Sequence, residues 1–129
     1  MARILTIDDD DAVRSIVAHA LTRDGHSVIQ AADGVEGAAR LHSHTFDLVI
    51  TDLIMPNREG IETIIELHRD FPTLPIIAMS GAAESNSNLR MAQLLGARST
   101  LQKPFSIQEL QDAVTRVLPA PGDGSTAAA

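Results

Sequence analysis

Residues 3–11 read Arg3-Ile4-Leu5-Thr6-Ile7-Asp8-Asp9-Asp10-Asp11, an apolar run that stops at four consecutive carboxylates. A short Ile- and Leu-rich run that changes character so abruptly marks a buried strand whose end reaches solvent. The pattern Val13, Ile16, Val17, Ala20, Leu21 follows at once and predicts a helix over residues 10–24, closed by Gly25. The acids therefore stand where a strand ends and a helix begins, the edge of an open α/β sheet that binds ligands. Acids there also complement the positive end of a helix, with Asp10 or Asp11 as its cap. One cap and one first-turn acid are enough for that purpose. Two carboxylates about 5 Å apart repel by roughly 3 kcal/mol at an effective dielectric of about 20. The run alone thus leaves two readings open, a helix start and a cation site.

The rest of the chain repeats the alternation of strand and helix. Residues 26–31 form a short, less apolar strand, expected at a sheet edge. Asp33-Gly34 opens a second helix with Val35, Ala38, Ala39 and Leu41 on one face. Residues 47–52 form a third strand, apolar in its middle and acidic at its end, followed by a loop over 53–60. Ile61, Ile64, Ile65 and Leu67 mark a third helix that stops before Pro72. Residues 74–80 form a fourth strand, residues 85–95 a fourth helix closed by Gly96, and residues 98–102 a weaker fifth strand. Ser106 caps a last helix marked by Ile107, Leu110, Val114 and Val117. Five strands alternating with five helices predict one α/β domain, a parallel sheet covered on both faces with right-handed crossovers.

Composition narrows the function. The chain of 129 residues fits a single domain, and 44% hydrophobic residues suffice for a core. With only Phe46, Phe71 and Phe105 as aromatics, that core must be aliphatic. The absence of cysteine excludes disulfides, thiolate metal sites and thiol catalysis. A net charge of −7 argues against direct nucleic-acid binding, since no basic stripe is available for phosphates. No run is long enough to span a membrane and no signal pattern opens the chain, so a cytoplasmic protein is expected. Residues 119–129 have linker composition, so the domain is expected over 1–118 with a disordered tail or the start of a linker beyond it. Met1 fits a natural N-terminus, and the tail leaves open whether the domain stands alone or belongs to a larger protein.

In a parallel sheet all strand C-termini lie at one edge, so the residues at those ends are neighbours in space. Strand one ends in Asp8-Asp9, strand three in Asp52, strand four in Ser80, and strand five in Lys103. That edge holds three carboxylates, a hydroxyl and an ammonium. A hard cation such as Mg²⁺ takes oxygen ligands and few protein carboxylates, with waters and phosphate completing its shell. Asp8, Asp9 and Asp52 supply such ligands, while Lys103 and Ser80 can hold phosphoryl oxygens. Phosphoryl transfer needs little more than an in-line nucleophile, a metal and compensating donors, and a carboxylate can be the nucleophile. Singly, Asp52 reads as a turn start, Ser80 as a helix cap and Lys103 as a solvated lysine; together at matching strand ends they read as a site. The five histidines, His19, His26, His42, His44 and His68, show no metal-ligand spacing and none falls at that edge.

The chain resembles a response-regulator receiver domain of two-component signalling over residues 3–118. The resemblance rests on Ile7-Asp8-Asp9-Asp10, on Asp33-Gly34, and on Asp47-Leu48-Val49-Ile50-Thr51-Asp52-Leu53-Ile54-Met55-Pro56 with Gly60. Ser80-Gly81-Ala82 and Lys103-Pro104-Phe105 complete it. It implies a flavodoxin-like, doubly wound sheet in the order 2-1-3-4-5, an order that comes with the resemblance and not from the hydrophobic pattern. It implies that Asp52 is the phosphoacceptor, and that Asp9 ligates Mg²⁺ (or Mn²⁺) directly and Asp8 largely through water. The backbone carbonyl of Ile54 would be a further ligand. Ser80 would be the switch hydroxyl and Lys103 the phosphate-binding lysine, with a cis peptide to Pro104. The implied donor is a histidine kinase or phosphotransfer protein, and a small phosphodonor can replace it. The implied output is a downstream protein bound by the face of the fourth helix, fifth strand and fifth helix. Such a domain assists its own phosphorylation and dephosphorylation without being an enzyme.

Two other readings use the same residues. Asp8 and Asp10 form the Asp-x-Asp of a haloacid-dehalogenase-type phosphatase, although Ala12 stands where Thr or Val is usual and the chain is short for that fold. A receiver used only as a phosphorylation-independent binding module is the third reading, opposed by the intact Asp8, Asp9, Asp52 and Lys103. One position departs from the family pattern: Thr100 stands three residues before the lysine, where Tyr or Phe is frequent and turns inward on phosphorylation. Coupling between Asp52 and the output face is therefore expected to be weak. Thr100→Tyr should increase the difference in partner affinity measured with and without a phosphoryl mimic; equal coupling in both proteins would show that the ring is unnecessary.

Overall fold

The computed structural model describes residues 2–53, 60–81, 90 and 92–118. The strands are β1 (Arg3–Ile7), β2 (Ser27–Ala31), β3 (Leu48–Asp52), β4 (Ile76–Ser80) and β5 (Ser99–Gln102). The helices are α1 (Asp11–Arg23), α2 (Gly34–Ser43), α3 (Gly60–Asp70), α4, described at Arg90 and residues 92–94, and α5 (Ile107–Val117). Ile54 and its loop, Ala82 and Ala83, most of the expected fourth helix and the tail at 119–129 lie outside the described residues.

All four strand pairings are parallel and the order is β2-β1-β3-β4-β5. Every residue of β3 and β4 is buried, as strands covered on both faces must be. Alternating side chains divide the core in two. Leu5, Ile7, Val49, Ile76 and Ala78 pack with Leu41, Ile64 and Leu67 on one side of the sheet; Ile4, Leu48, Ile50, Ile77 and Met79 pack with Val17, Leu21, Leu110 and Val114 on the other. β2 is the half-exposed edge expected from its weaker pattern.

Helix starts follow the sequence signals. Asp10 caps α1 by accepting from the Ala12 and Val13 N–H groups, Asp33 caps α2, and Ser106 with Glu109 forms a reciprocal capping box on α5. The buried stripes are narrower than the 3.6-residue period suggests. Ile16, Val35, Ile65 and Ile107 were all expected on packed faces and are instead about half exposed. On α2 the reason is visible: Gly34, Gly37 and Leu41 form the buried face. Gly37 brings the helix so close to β1 that a Cβ there would lie 2.5 Å from Ile7 Cδ1. That approach rotates Val35 and Ala39 outward.

Gly96 has φ +127°, and a Cβ on it would lie 2.8 Å from His68 Nδ1 of α3. Positive φ and close contact act together here, so glycine is required. Gly96→Ala should destabilise the domain by about 2 kcal/mol, read as a lower urea midpoint at unchanged m-value. An unchanged midpoint would show that the turn has a second conformation open to it.

Candidate functional site

β1, β3 and β4 end together at the C-terminal edge of the sheet, and the first residue past β5 completes the group. Oxygens of Asp8, Asp9 and Asp52 lie within 4.8 Å of one another. Asp8 is fully buried, Asp52 nearly so, and Asp9 is exposed. Lys103 Nζ donates to Asp8 Oδ2 at 2.8 Å and lies 3.4 Å from Asp52 Oδ2. The Leu53 N–H donates to Asp52 Oδ1 at 2.9 Å, which fixes the rotation of that carboxylate. Ser80 is fully buried at the end of β4, and its hydroxyl donates to the Gly81 carbonyl over a long 3.4 Å. No hydrogen bond joins that hydroxyl to Asp8, Asp52 or Lys103 among the described residues. The Ser80 carbonyl accepts from the Lys103 N–H at 2.7 Å, so hydroxyl and ammonium hang from one joint between β4 and β5. The Lys103–Pro104 peptide is cis, as expected.

Burial, and then the neighbouring Asp8 charge, push the Asp52 carboxyl up to about 6; Lys103 and the Leu53 N–H oppose this in part. Burial would lower the Lys103 ammonium, but its bond to Asp8 and the charges of Asp52 and Asp8 outweigh that and raise it. Once Asp52 is ionised, the three acids and one lysine of the pocket carry a formal net charge of −2. Three hard oxygen donors with that charge fit a small divalent cation.

The structure thus brings together Asp8, Asp9, Asp52 and Lys103, with Ser80 beside them on the adjoining strand end; the Ile54 carbonyl lies outside the described residues. Of the two cap candidates, Asp10 and Asp11, it is Asp10 that caps α1, its side chain on two helix N–H groups. The histidines are exposed or half-buried, as expected. What sequence reasoning missed is Arg14. Its spacing to Asp11 suggests only an ion pair, yet it also donates through Nη1 to the Asp8 carbonyl at 2.6 Å.

The family model of the response regulator receiver domain matches residues 4–115. The chain belongs to the response-regulator receiver family. Response regulator MprA of Mycobacterium sp. is 38% identical over 109 residues, covering 84% of this chain and 46% of that protein. MprA of Mycolicibacterium vanbaalenii is 36% identical over 131 residues, 98% of this chain and 56% of that one. The chain spans about half the length of these relatives. Among solved structures, chemotaxis protein CheY4 of Vibrio cholerae superposes with a TM-score of 0.85 at 32% identity, covering 92% of this chain and 99% of that one. TrrA of Thermotoga maritima, solved in complex with Mg²⁺–BeF, gives a TM-score of 0.82 at 29% identity over 92% and 100% of the two chains. The receiver is thus a flavodoxin-like domain of two-component signalling, from a family of phosphoacceptors that bind Mg²⁺.

The raised Asp52 value has a sign that can be tested. A carboxyl whose folded value of about 6 exceeds its ordinary 3.8 binds its proton more tightly in the folded state. The stability that proton brings is complete below about pH 4 and is lost as pH rises through about 6. Solvent at the pocket mouth reduces the loss to about 2 kcal/mol. In EDTA, Asp52→Asn should therefore raise the thermal midpoint by roughly 8 °C at pH 8 and by much less at pH 4.5. Millimolar Mg²⁺ should close the gap at pH 8 by stabilising the unmodified receiver alone. Equal midpoints of the two proteins in EDTA at pH 8 would contradict the reading.

Proposed function

We propose that this receiver takes a phosphoryl group on Asp52 from a histidine kinase or phosphotransfer protein and converts it into altered affinity for another protein. The observation that carries the reading is the Asp52 carboxylate, buried yet placed between a lysine ammonium and two further acids at a ligand-binding sheet edge.

An Asp52 carboxylate oxygen attacks phosphorus, and its new O–P bond forms as the P–N bond to the donor imidazole breaks. The electron pair returns to the imidazole, which takes a proton from solvent. With a value of about 6, Asp52 is largely ionised at neutral pH and ready as nucleophile. Mg²⁺ (or Mn²⁺), held by Asp8, Asp9, Asp52 and the Ile54 carbonyl, would neutralise charge on the carboxylates and phosphoryl oxygens. Lys103 exchanges part of its contact with Asp52 for a phosphoryl oxygen, and the Ser80 hydroxyl leaves its long bond to the Gly81 carbonyl for another.

The new acyl phosphate adds roughly one to two negative charges and strong acceptor oxygens. Because Ser80 and Lys103 share a backbone bond at the end of β4 and β5, movement of either is felt along β5. The face of α4, β5 and α5 is then the output surface for the downstream protein. Residues 1–118 are the folded unit and 119–129 a tail or linker, in keeping with α5 ending at Val117. No helix among the described residues is long and apolar enough to cross a membrane. We take the receiver to be cytoplasmic and to act through proteins; its net charge of −7 argues against direct contact with nucleic acid.

Incubation with Mg²⁺ and acetyl phosphate, followed by mass spectrometry, tests the assignment. The receiver should gain one phosphoryl group, and both Asp52→Asn and omission of Mg²⁺ should abolish the gain. The same gain in Asp52→Asn would overturn it, and no gain in either protein would favour the phosphorylation-independent binding module.

A further inference from the structure

The order of tasks within the acidic run shows how Asp9 is aimed. Asp8 is engaged by Lys103 and by the Asp10 N–H, Asp10 caps α1, and Asp11 pairs with Arg14. Asp9 is exposed and makes no side-chain hydrogen bond among the described residues. Nothing in its own side chain fixes its direction, so its backbone must. The two peptide planes that flank its Cα are both tied down. The Asp9–Asp10 plane is held by its N–H, which donates to Asp8 Oδ1 at 2.9 Å. The Asp8–Asp9 plane is held by its carbonyl, which accepts from Arg14 Nη1 at 2.6 Å. On the other side of Asp8, its N–H donates to the Ala31 carbonyl of β2 at 3.1 Å.

We infer that Arg14 is a positioning residue for the metal ligand Asp9. This rests on the reading of Asp8, Asp9 and Asp52 as a divalent-cation site. The guanidinium meets three acceptors at once: the Asp8 carbonyl, the Asp11 carboxylate and, at 3.3 Å through Nε, Gln30 Oε1 of β2. With two of its anchors on α1 and β2, the fork transmits the position of both elements to one peptide plane. That plane and the Asp10 N–H bond together set φ and ψ of Asp9, and therefore the direction of its Cα–Cβ bond. The side chain is only 15% exposed, so the fork is itself held in place. A lysine keeps the charge but presents one nitrogen and cannot serve three acceptors in a planar fork.

Charge and geometry predict opposite outcomes. A cation near the pocket repels Mg²⁺, so if Arg14 acted through charge alone, Arg14→Lys would be neutral and Arg14→Met would tighten binding. If it positions Asp9, both variants bind the ion more weakly, about tenfold, the range for loss of a residue that orients a metal ligand. The experiment is Mn²⁺ binding by electron paramagnetic resonance on the full chain, with thermal midpoints in EDTA and ¹⁵N relaxation of the metal-free protein. The expected result is weaker Mn²⁺ binding in both variants, midpoints within a few degrees of the unmodified receiver, and lower order parameters at the Asp9 and Asp10 amides. Binding by Arg14→Lys within twofold of the unmodified receiver, or tighter binding by Arg14→Met, would overturn the inference. Loss of the native thermal transition in both variants would also overturn it, because the fork would then hold the fold and not the ligand. Asp9→Asn separates the two levels: if it binds Mn²⁺ as tightly as the unmodified receiver, the cation site itself falls.

Discussion

One ammonium lets the acids of this domain share a pocket. Lys103 reaches back across 95 positions of sequence to the buried Asp8, and its nitrogen stands close to Asp52 as well. Without it two carboxylates would face each other out of water, an arrangement that costs several kcal/mol and is relieved only by taking up protons. With it the two carboxylates share one counter-charge, and the three acids of the pocket keep a formal excess of two negative charges. The compensation is incomplete, and that remainder is what fits the pocket to a small divalent cation.

The sheet makes that pairing possible. Parallel strands with right-handed crossovers deliver every C-terminus to the same side, so residues from four separate segments meet without any of them being near another in sequence. The wholly buried β3 and β4 form a rigid floor. Charges are tolerated at their ends because one rim of the pocket opens to solvent and every buried charge there has a named partner. The one described buried polar side-chain atom without such a partner is Thr6 Oγ1, two residues before Asp8 in β1.

Most of this arrangement is readable from residue order. Apolar runs ending in Asp8, Asp52 and Ser80 identify strand ends, and the Asp10, Asp33 and Ser106 caps follow from local chemistry alone. Periodicity is less informative about which side of a helix is packed. Ile16, Val35, Ile65 and Ile107 have the right spacing but half-exposed positions, and for Val35 the cause is the close approach of Gly37 to Ile7, which orients α2. The part of the site that escaped the sequence is made of backbone. The Leu53 N–H on Asp52, the Asp10 N–H on Asp8 and the Asp8 carbonyl under the Arg14 fork are placed by dihedral angles that residue types do not spell out.

The four neighbouring aspartates look interchangeable on paper and are not. One is locked to the lysine, one faces the open side of the pocket, one closes the helix and one balances an arginine. A single-residue deletion within the run would leave three aspartates for four posts, and it would shift α1, with Ala12 and Arg14, by one residue against β1. The segment therefore encodes its information in phase and not in composition. Drift that preserves acidity while shifting the frame by one would still undo the division of posts.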